Sequence, residues 1–217
     1  MPPEISGKFI VIDGPDYCGK GTQHRLLVNY LLDHPLDRDL KRLCVVPEKE
    51  PYGLSPYHAE IRRLLRSGAG PKDNVERLAE LFVADRIYHT ANSIIPDLQK
   101  GKVVVCDRYK YSTLAYQWAQ GVSLDRLMKM HEGLPVPDLV IFLDVPPEER
   151  LRRKANDCNR PYDEVFEKDS EFQRQLDNNF ERLRLVLHKE PIYVVNGSQP
   201  PEAVHFLVKQ LVDSKFF

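Results

Sequence analysis

Lys8 to Asp13 reads KFIVID, and Gly14 to Thr22 continues it as GPDYCGKGT. The first six residues form a β-branched and aromatic run with no turn-former before Gly14, the pattern of a buried strand stopped by a glycine-containing loop. Gly21 to Leu32 then has a helical pattern. A strand that feeds a loop bearing Gly14, Gly19 and Lys20 and then a helix is the context a phosphate-binding loop requires. Glycines let backbone N–H groups converge on phosphate oxygens, the helix N-terminus adds positive potential, and Lys20 can reach the terminal phosphates. The candidate triphosphate-binding residues are therefore Gly14, Pro15, Asp16, Tyr17, Cys18, Gly19, Lys20, Gly21 and Thr22. Thr22 offers a hydroxyl to phosphate or Mg²⁺. The strict motif has Ser or Thr directly after the lysine; here Gly21 intervenes and gives the relaxed form Gly-Lys-Gly-Thr.

Working outward, further short apolar runs read as strands at Leu43 to Val46, Val103 to Cys106, Leu139 to Leu143 and Ile192 to Val195. The Pro47 to Pro56 stretch, rich in Pro, Gly and Ser, reads as a loop. Apolar residues Val75, Leu78, Leu81, Phe82, Ile87, Ile94 and Leu98 predict a helix from Asp73 to Gln99, opened by Asp73-x-x-Glu76 and ended or kinked at Pro96. Arg150 to Asp163 (RLRRKANDCNRPYD) reads as a polar, basic insertion ahead of a helical pattern from Glu164 to Leu187. Strands alternating with helices predict an α/β fold: a parallel five-stranded sheet flanked by helices on both faces, with ligands beyond the carboxyl ends of the strands. The 217 residues suit one domain, with a short basic lid at about 150–163.

Charge and cysteine usage narrow the function. The 31 Lys and Arg nearly cancel the 32 Asp and Glu, so no global basic field points to nucleic acid or to a membrane surface. Cys18, Cys44, Cys106 and Cys158 lie far apart with no metal-ligand spacing, which suits reduced thiols. The start, Met-Pro-Pro-Glu, lacks the basic and apolar stretches of a leader, so a cytoplasmic protein is expected. Asp107 and Arg108 follow a strand, where a carboxylate could order Mg²⁺ and a guanidinium clamp a phosphate. Asp144, at another strand end, is a competing carboxylate. Asp85 and Arg86 sit in a helical pattern, where charges ordinarily mark a solvated face. Arg62 and Arg63 read as a surface pair.

The phosphate-binding loop, Phe82-Val83-Ala84-Asp85-Arg86 and Asp107-Arg108-Tyr109, in this order and spacing, resemble the thymidylate kinases. Lys49-Glu50-Pro51, Ala115-Tyr116-Gln117 and Asn196-Gly197-Ser198-Gln199 resemble three further elements of that family. The resemblance spans nearly the whole chain and implies a P-loop kinase that uses MgATP to phosphorylate dTMP, with homodimers possible. It also implies that Asp16 contacts the acceptor sugar's 3′-hydroxyl, Phe82 stacks on thymine, Arg86 bonds a base carbonyl and Arg108 holds the acceptor phosphate. Ser112 and Gln117 would line the base pocket, and Tyr116 would pack beside the sugar and disfavour a 2′-hydroxyl. Core packing alone would also explain Phe82 and Tyr116.

Lys49 stands where the family usually has Arg, a point charge in place of a rigid two-pronged donor. Tyr17 stands where a subset of the family has a catalytic arginine. The resemblance therefore implies that the lid supplies that charge, through Arg153 and Arg160. Catalysis would need no strong base, because the acceptor phosphate is already anionic; Lys20, Arg108, Asp107 with Mg²⁺ and the lid would align two anions and screen their repulsion. Kinases of other nucleoside monophosphates share the Gly-Lys-Gly-Thr loop and basic lid. A deoxynucleoside kinase would need a carboxylate base, for which Asp16 or Glu50 could serve. A nucleotide-binding regulator is the alternative of another class, although the guanine signature Asn-Lys-x-Asp is missing.

Overall fold

The computed structural model describes residues 7–33, 44–66, 74–156 and 170–217. Five parallel strands, β1 (Lys8–Asp13), β2 (Val45–Lys49), β3 (Val103–Asp107), β4 (Leu139–Asp144) and β5 (Ile192–Asn196), form one sheet in the order β2-β3-β1-β4-β5. The helices among the described residues are α1 (Lys20–Asp33), α2 (His58–Arg66), α3 (Val75–His89), α4 (Ile95–Gln99), α5 (Lys110–Ala119), α6 (Leu124–Met130), α7 (Pro147–Ala155), α8 (Ser170–Val186) and α9 (Pro201–Phe216). None is long and apolar enough to cross a membrane.

Strand periodicity divides the core into two layers. Phe9 and Val11 of β1, with Val104, Cys106, Val140 and Phe142, face helices α3 to α6 and α8. Ile10 and Ile12, with Val103, Val105, Leu139 and Ile141, face α1 and α9 through Leu27, Leu31, Val204 and Val208. Each such aliphatic side chain, fully buried, contributes about 1.5–3 kcal/mol. Because the chain leaves β1 for β2 in one direction and leaves β3 for β4 in the other, the crevice at the carboxyl ends of β1 and β3 is the topological switch point of the sheet.

Three expectations need correction. β2 runs on through Pro47, Glu48 and Lys49, which the sequence places in a loop. Proline is tolerated there because β2 is an edge strand, paired on one side only. The helix expected to run from 73 to 99 is interrupted by a π-helical turn at Thr90–Ile94, where Ile95 N donates to Thr90 O. Pro96 lacks an N–H and crowds the preceding turn, and the widened turn lets the chain pass it. α3 begins at Val75; Asp73 lies outside the described residues. The front of the basic insertion is helix α7, and its remainder from 157 to 163 lies outside the described residues, as do Arg160 and Cys158.

Candidate active site

The loops after β1, β2 and β3 meet at the switch point. Arg108 N donates to Ile12 O at 3.0 Å and Glu50 N to Asp107 O at 3.0 Å, so the three strand ends are laced by backbone before any side chain contributes. Gly14 has φ +143° and a Cβ there would lie 2.8 Å from Leu143 O; Gly19 has φ +98°. Side chains are excluded from the first by space and from both by backbone conformation. Lys20 is buried and folds back over its own loop, its Nζ donating to Pro15 O at 2.5 Å and lying 4.0 Å from Asp16 Oδ1.

Asp16 is the meeting point of the phosphate-binding loop and the loop after β3. Its carboxylate pairs with Arg108 Nη2 and accepts from the Tyr116 hydroxyl at 2.9 Å, while its own N–H donates to the same hydroxyl oxygen at 3.0 Å. Burial first, and Asp16 beside it second, push the Tyr116 phenol well up from its ordinary value, so it stays a donor. The Arg108 guanidinium lies over the Tyr116 ring, 5.7 Å from its centroid, and its Nη1 donates to Ser112 Oγ at 2.7 Å. Arg108 itself has φ +75°, a conformation that costs a non-glycine residue on the order of 1 kcal/mol and needs its neighbours to hold it.

Asp13 provides that hold, and sequence reasoning missed it because it reads as the last residue of a strand. Its Oδ1 accepts from Gly14 N at 2.8 Å and Ser112 Oγ at 2.6 Å; its Oδ2 accepts from Tyr109 N at 3.0 Å and Ser112 N at 3.1 Å. One fully buried carboxylate thus fixes Tyr109 and Ser112, the residues that follow Arg108, to the start of the phosphate-binding loop. Burial pushes the Asp13 carboxyl up from its ordinary value, and Arg108, Ser112 and Lys20 oppose that rise.

The two candidate strand-end carboxylates differ in burial. Asp144 is exposed at its strand end. Asp107 is buried, its Oδ2 lies 3.6 Å from Lys49 Nζ, and its Oδ1 is enclosed without a hydrogen-bond partner. A Cβ on Gly21 would come within 3.7 Å of Asp107 Oδ2, so the carboxylate and the start of α1 share one small space. Thr22 is half-buried one residue further on. Among the described residues no three His, Cys, Asp or Glu side chains are grouped to hold a metal by themselves. One carboxylate with an orphaned oxygen beside a phosphate loop is the donor set that Mg²⁺ uses when phosphates and water complete its shell.

Of the residues expected to bind the acceptor, Phe82 is half-buried and Lys49 is 64% exposed. Gln117 is buried, donating to Gln120 Oε1 at 2.8 Å and leaving its own Oε1 enclosed without a partner. Asp85 and Arg86 correct the expectation of a solvated face, since both are buried. Asp85 Oδ2 accepts from Tyr52 N at 2.8 Å. Arg86, 2% exposed, donates through Nε to Glu50 Oε2 at 2.7 Å and through Nη1 to Thr113 Oγ1 at 3.1 Å and His131 Nε2 at 2.7 Å. Breaking so buried a pair by removing one partner costs about 3–5 kcal/mol. Glu50, Thr113 and His131 were not singled out as partners, because residues 36, 27 and 45 positions from Arg86 in sequence leave no local pattern.

Arg153 of α7 reaches the phosphate-binding loop. Its Nη1 donates to Tyr17 O at 3.4 Å, its Nη2 to Gly197 O at 2.8 Å and its Nε to Glu149 Oε1 at 2.9 Å. The neighbouring Arg152 is exposed and pairs with Glu149. Arg150 is buried, holding α7 to α8 through Asp177 at 2.6 Å and Gln173 at 2.9 Å. Of the surface pair, Arg63 is exposed and Arg62 half-buried. Cys18, Cys44 and Cys106 are free thiols.

A family model described as thymidylate kinase matches residues 12–208. The chain belongs to the thymidylate kinase family. A "Probable thymidylate kinase" of Pyrococcus abyssi is 38% identical over 212 residues, covering 96% of this chain and 97% of the relative. A "Thymidylate kinase" of Desulfotalea psychrophila is 39% identical over 147 residues, 68% of each chain. One of Bacillus cytotoxicus is 32% identical over 216 residues, 97% of this chain and 99% of the relative. Thymidylate kinase family membership thus extends over the sheet and every strand-end loop described above.

Proposed function

We propose that the chain transfers the γ-phosphoryl group of MgATP to dTMP, giving dTDP and ADP, and that it does so with the residues gathered at the end of β1. Membership of the family supports the reaction. The single observation that supports the site is the placement of Asp16, which touches the acceptor-side Arg108 and Tyr116 while lying 4.0 Å from Lys20 of the phosphate-binding loop.

The loop from Gly14 to Thr22 would cradle the ATP phosphates, and Lys20 would leave Pro15 O to reach them. When bound, Mg²⁺ would neutralise charge on the β- and γ-phosphates, with Asp107 and Thr22 as its protein-side oxygens, directly or through water. Arg108 would hold the acceptor phosphate, its donors presented by Ser112 and Asp16. Asp16 would accept from the sugar 3′-hydroxyl, and the Tyr116 ring, anchored by its hydroxyl, would close the space beside C2′. Phe82, Arg86, Ser112 and Gln117 would read the base, Gln117 through its enclosed and unpartnered oxygen. Lys49 would screen the approaching anions as a point charge. Arg153, already on Tyr17 O and Gly197 O, and Arg160 would supply positive charge over the transferring group from the lid at about 150–163. Two anions brought in line and screened need no further base.

The whole chain would act as one catalytic unit, cytoplasmic and able to form homodimers. The test is incubation of purified protein with MgATP and each nucleoside monophosphate in turn, with products identified. Selective conversion of dTMP is expected; transfer mainly to another monophosphate would refute the acceptor, and none at all would refute the kinase reading.

A further inference from the structure

The acceptor side rests on a buried charge cluster that the reaction scheme does not use. His89 at the end of α3 is fully buried, with Nε2 3.0 Å from Glu48 Oε2 and Nδ1 3.3 Å from Glu50 Oε1. Its ring stacks on Tyr52, centroids 4.2 Å apart. Ionised carboxylates only accept, so a ring that faces one from each nitrogen satisfies both only as the doubly protonated imidazolium. The two oxygens of Glu50 are divided, Oε1 to His89 and Oε2 to Arg86 Nε at 2.7 Å and Nη2 at 2.5 Å. Glu48 is held from its other side by the Ser93 hydroxyl, which the π-helical turn brings onto the same carboxylate as His89.

We propose that His89 is a positioning residue for the acceptor nucleotide: bridging Glu48 and Glu50, it fixes the carboxylate that in turn holds Arg86 in place for the base. This rests on the assignment of Arg86 to base recognition. The other charged or titratable groups around the cluster are Arg86 and Asp85 on α3, Asp97 on α4, Cys106 and Tyr109 at the end of β3, and Tyr52 on the ring face. Burial opposes charging of His89, but hydrogen bonds from the ring to Glu48 and Glu50 outweigh it and raise its pKa to about 9. A histidine raised in this way stabilises the fold fully below its unfolded value near 6.5, and that contribution is lost as pH rises through about 9.

The experiment is steady-state kinetics of wild type, His89→Gln, Glu48→Gln and Arg86→Lys from pH 7 to 10, with dTMP varied at saturating MgATP and MgATP varied at saturating dTMP. His89→Gln is expected to raise the dTMP KM roughly tenfold, the scale of one lost hydrogen bond to a charged group, with the ATP KM unchanged. The wild-type dTMP KM should rise further above pH 9 than that of His89→Gln; thymine titrates alike in both assays, so the difference reports the histidine. Glu48→Gln, which keeps the shape and removes one flanking charge, should move that break to lower pH and serves if His89→Gln does not fold. A raised dTMP KM in Arg86→Lys alone, with the other two variants matching wild type in KM and pH profile, overturns the proposal and leaves the Arg86 reading standing. An unchanged dTMP KM in Arg86→Lys removes the Arg86 reading and the proposal with it.

Discussion

Ser112 Oγ donates to Asp13 Oδ1 at 2.6 Å, a bond between residues 99 positions apart that ties the loop after β3 to the start of the phosphate-binding loop. Because Asp13 also accepts from Tyr109 N and Ser112 N, it holds Arg108 in a backbone conformation that the residue would not choose alone. Asp13→Asn keeps the volume but turns an NH₂ toward donors. It should lower kcat/KM for dTMP by about 100-fold and stability by about 1–3 kcal/mol, the cost of a buried unmatched polar group. Kinetics beside urea denaturation check both; loss of stability without loss of kcat/KM would reduce Asp13 to a structural role.

Arg108→Ala should retain the fold and lose about 10³-fold in kcat, the scale of removing a charge stabiliser from a phosphoryl-transfer site. Its guanidinium is met by Asp16, Ser112 and the Tyr116 ring at the mouth of the site rather than in the apolar core. A near-normal rate in a folded variant would remove it from the machinery.

Asp107→Asn addresses the carboxylate whose Oδ1 is orphaned and whose Oδ2 faces Gly21. The expected result is a shift of the Mg²⁺ concentration for half-maximal rate upward by about tenfold or more, larger than any change in the dTMP KM, because the carboxylate is the proposed metal-side oxygen and meets the acceptor side only through the exposed Lys49. Titration of the rate with Mg²⁺ at fixed ATP measures it.

Arg153→Ala should lower kcat about 10- to 100-fold and leave thermal stability within about 0.5 kcal/mol, since its bonds reach loop carbonyls rather than core groups. Phosphoryl transfer and a melting curve on the same sample distinguish a role at the phosphate loop from simple tethering of α7.

His131 links pH to stability. Its Nδ1 donates to Leu127 O at 2.7 Å, leaving Nε2 to accept from Arg86, and burial first with Arg86 second lowers its pKa to about 3. The unfolded chain takes up a proton near 6.5 that the folded chain refuses, so stability should fall as pH drops from about 6.5 toward about 3, by up to about 1.4 kcal/mol per pH unit. Urea midpoints between pH 7 and 4 should show this slope reduced in His131→Gln; an equal slope in both would assign acid sensitivity elsewhere.

Patterns within a few residues suffice for the five strands, the glycine- and lysine-bearing loop after β1 and the placement of Asp107 and Arg108 at the end of β3: a period of two, glycines at a strand end, a lysine before a helix. The same local patterns misread Pro47 to Lys49, where edge position tolerates the proline, and the helix around Pro96, where a π-helical turn accommodates it. The burial of Asp85 and Arg86, the hold of Asp13 on the Arg108 loop and the division of Glu50's oxygens between His89 and Arg86 emerge only in the folded chain. Those facts depend on which charges meet in a low-dielectric interior, and the partners come from strands and helices tens of residues apart, brought together by the crossover at β1.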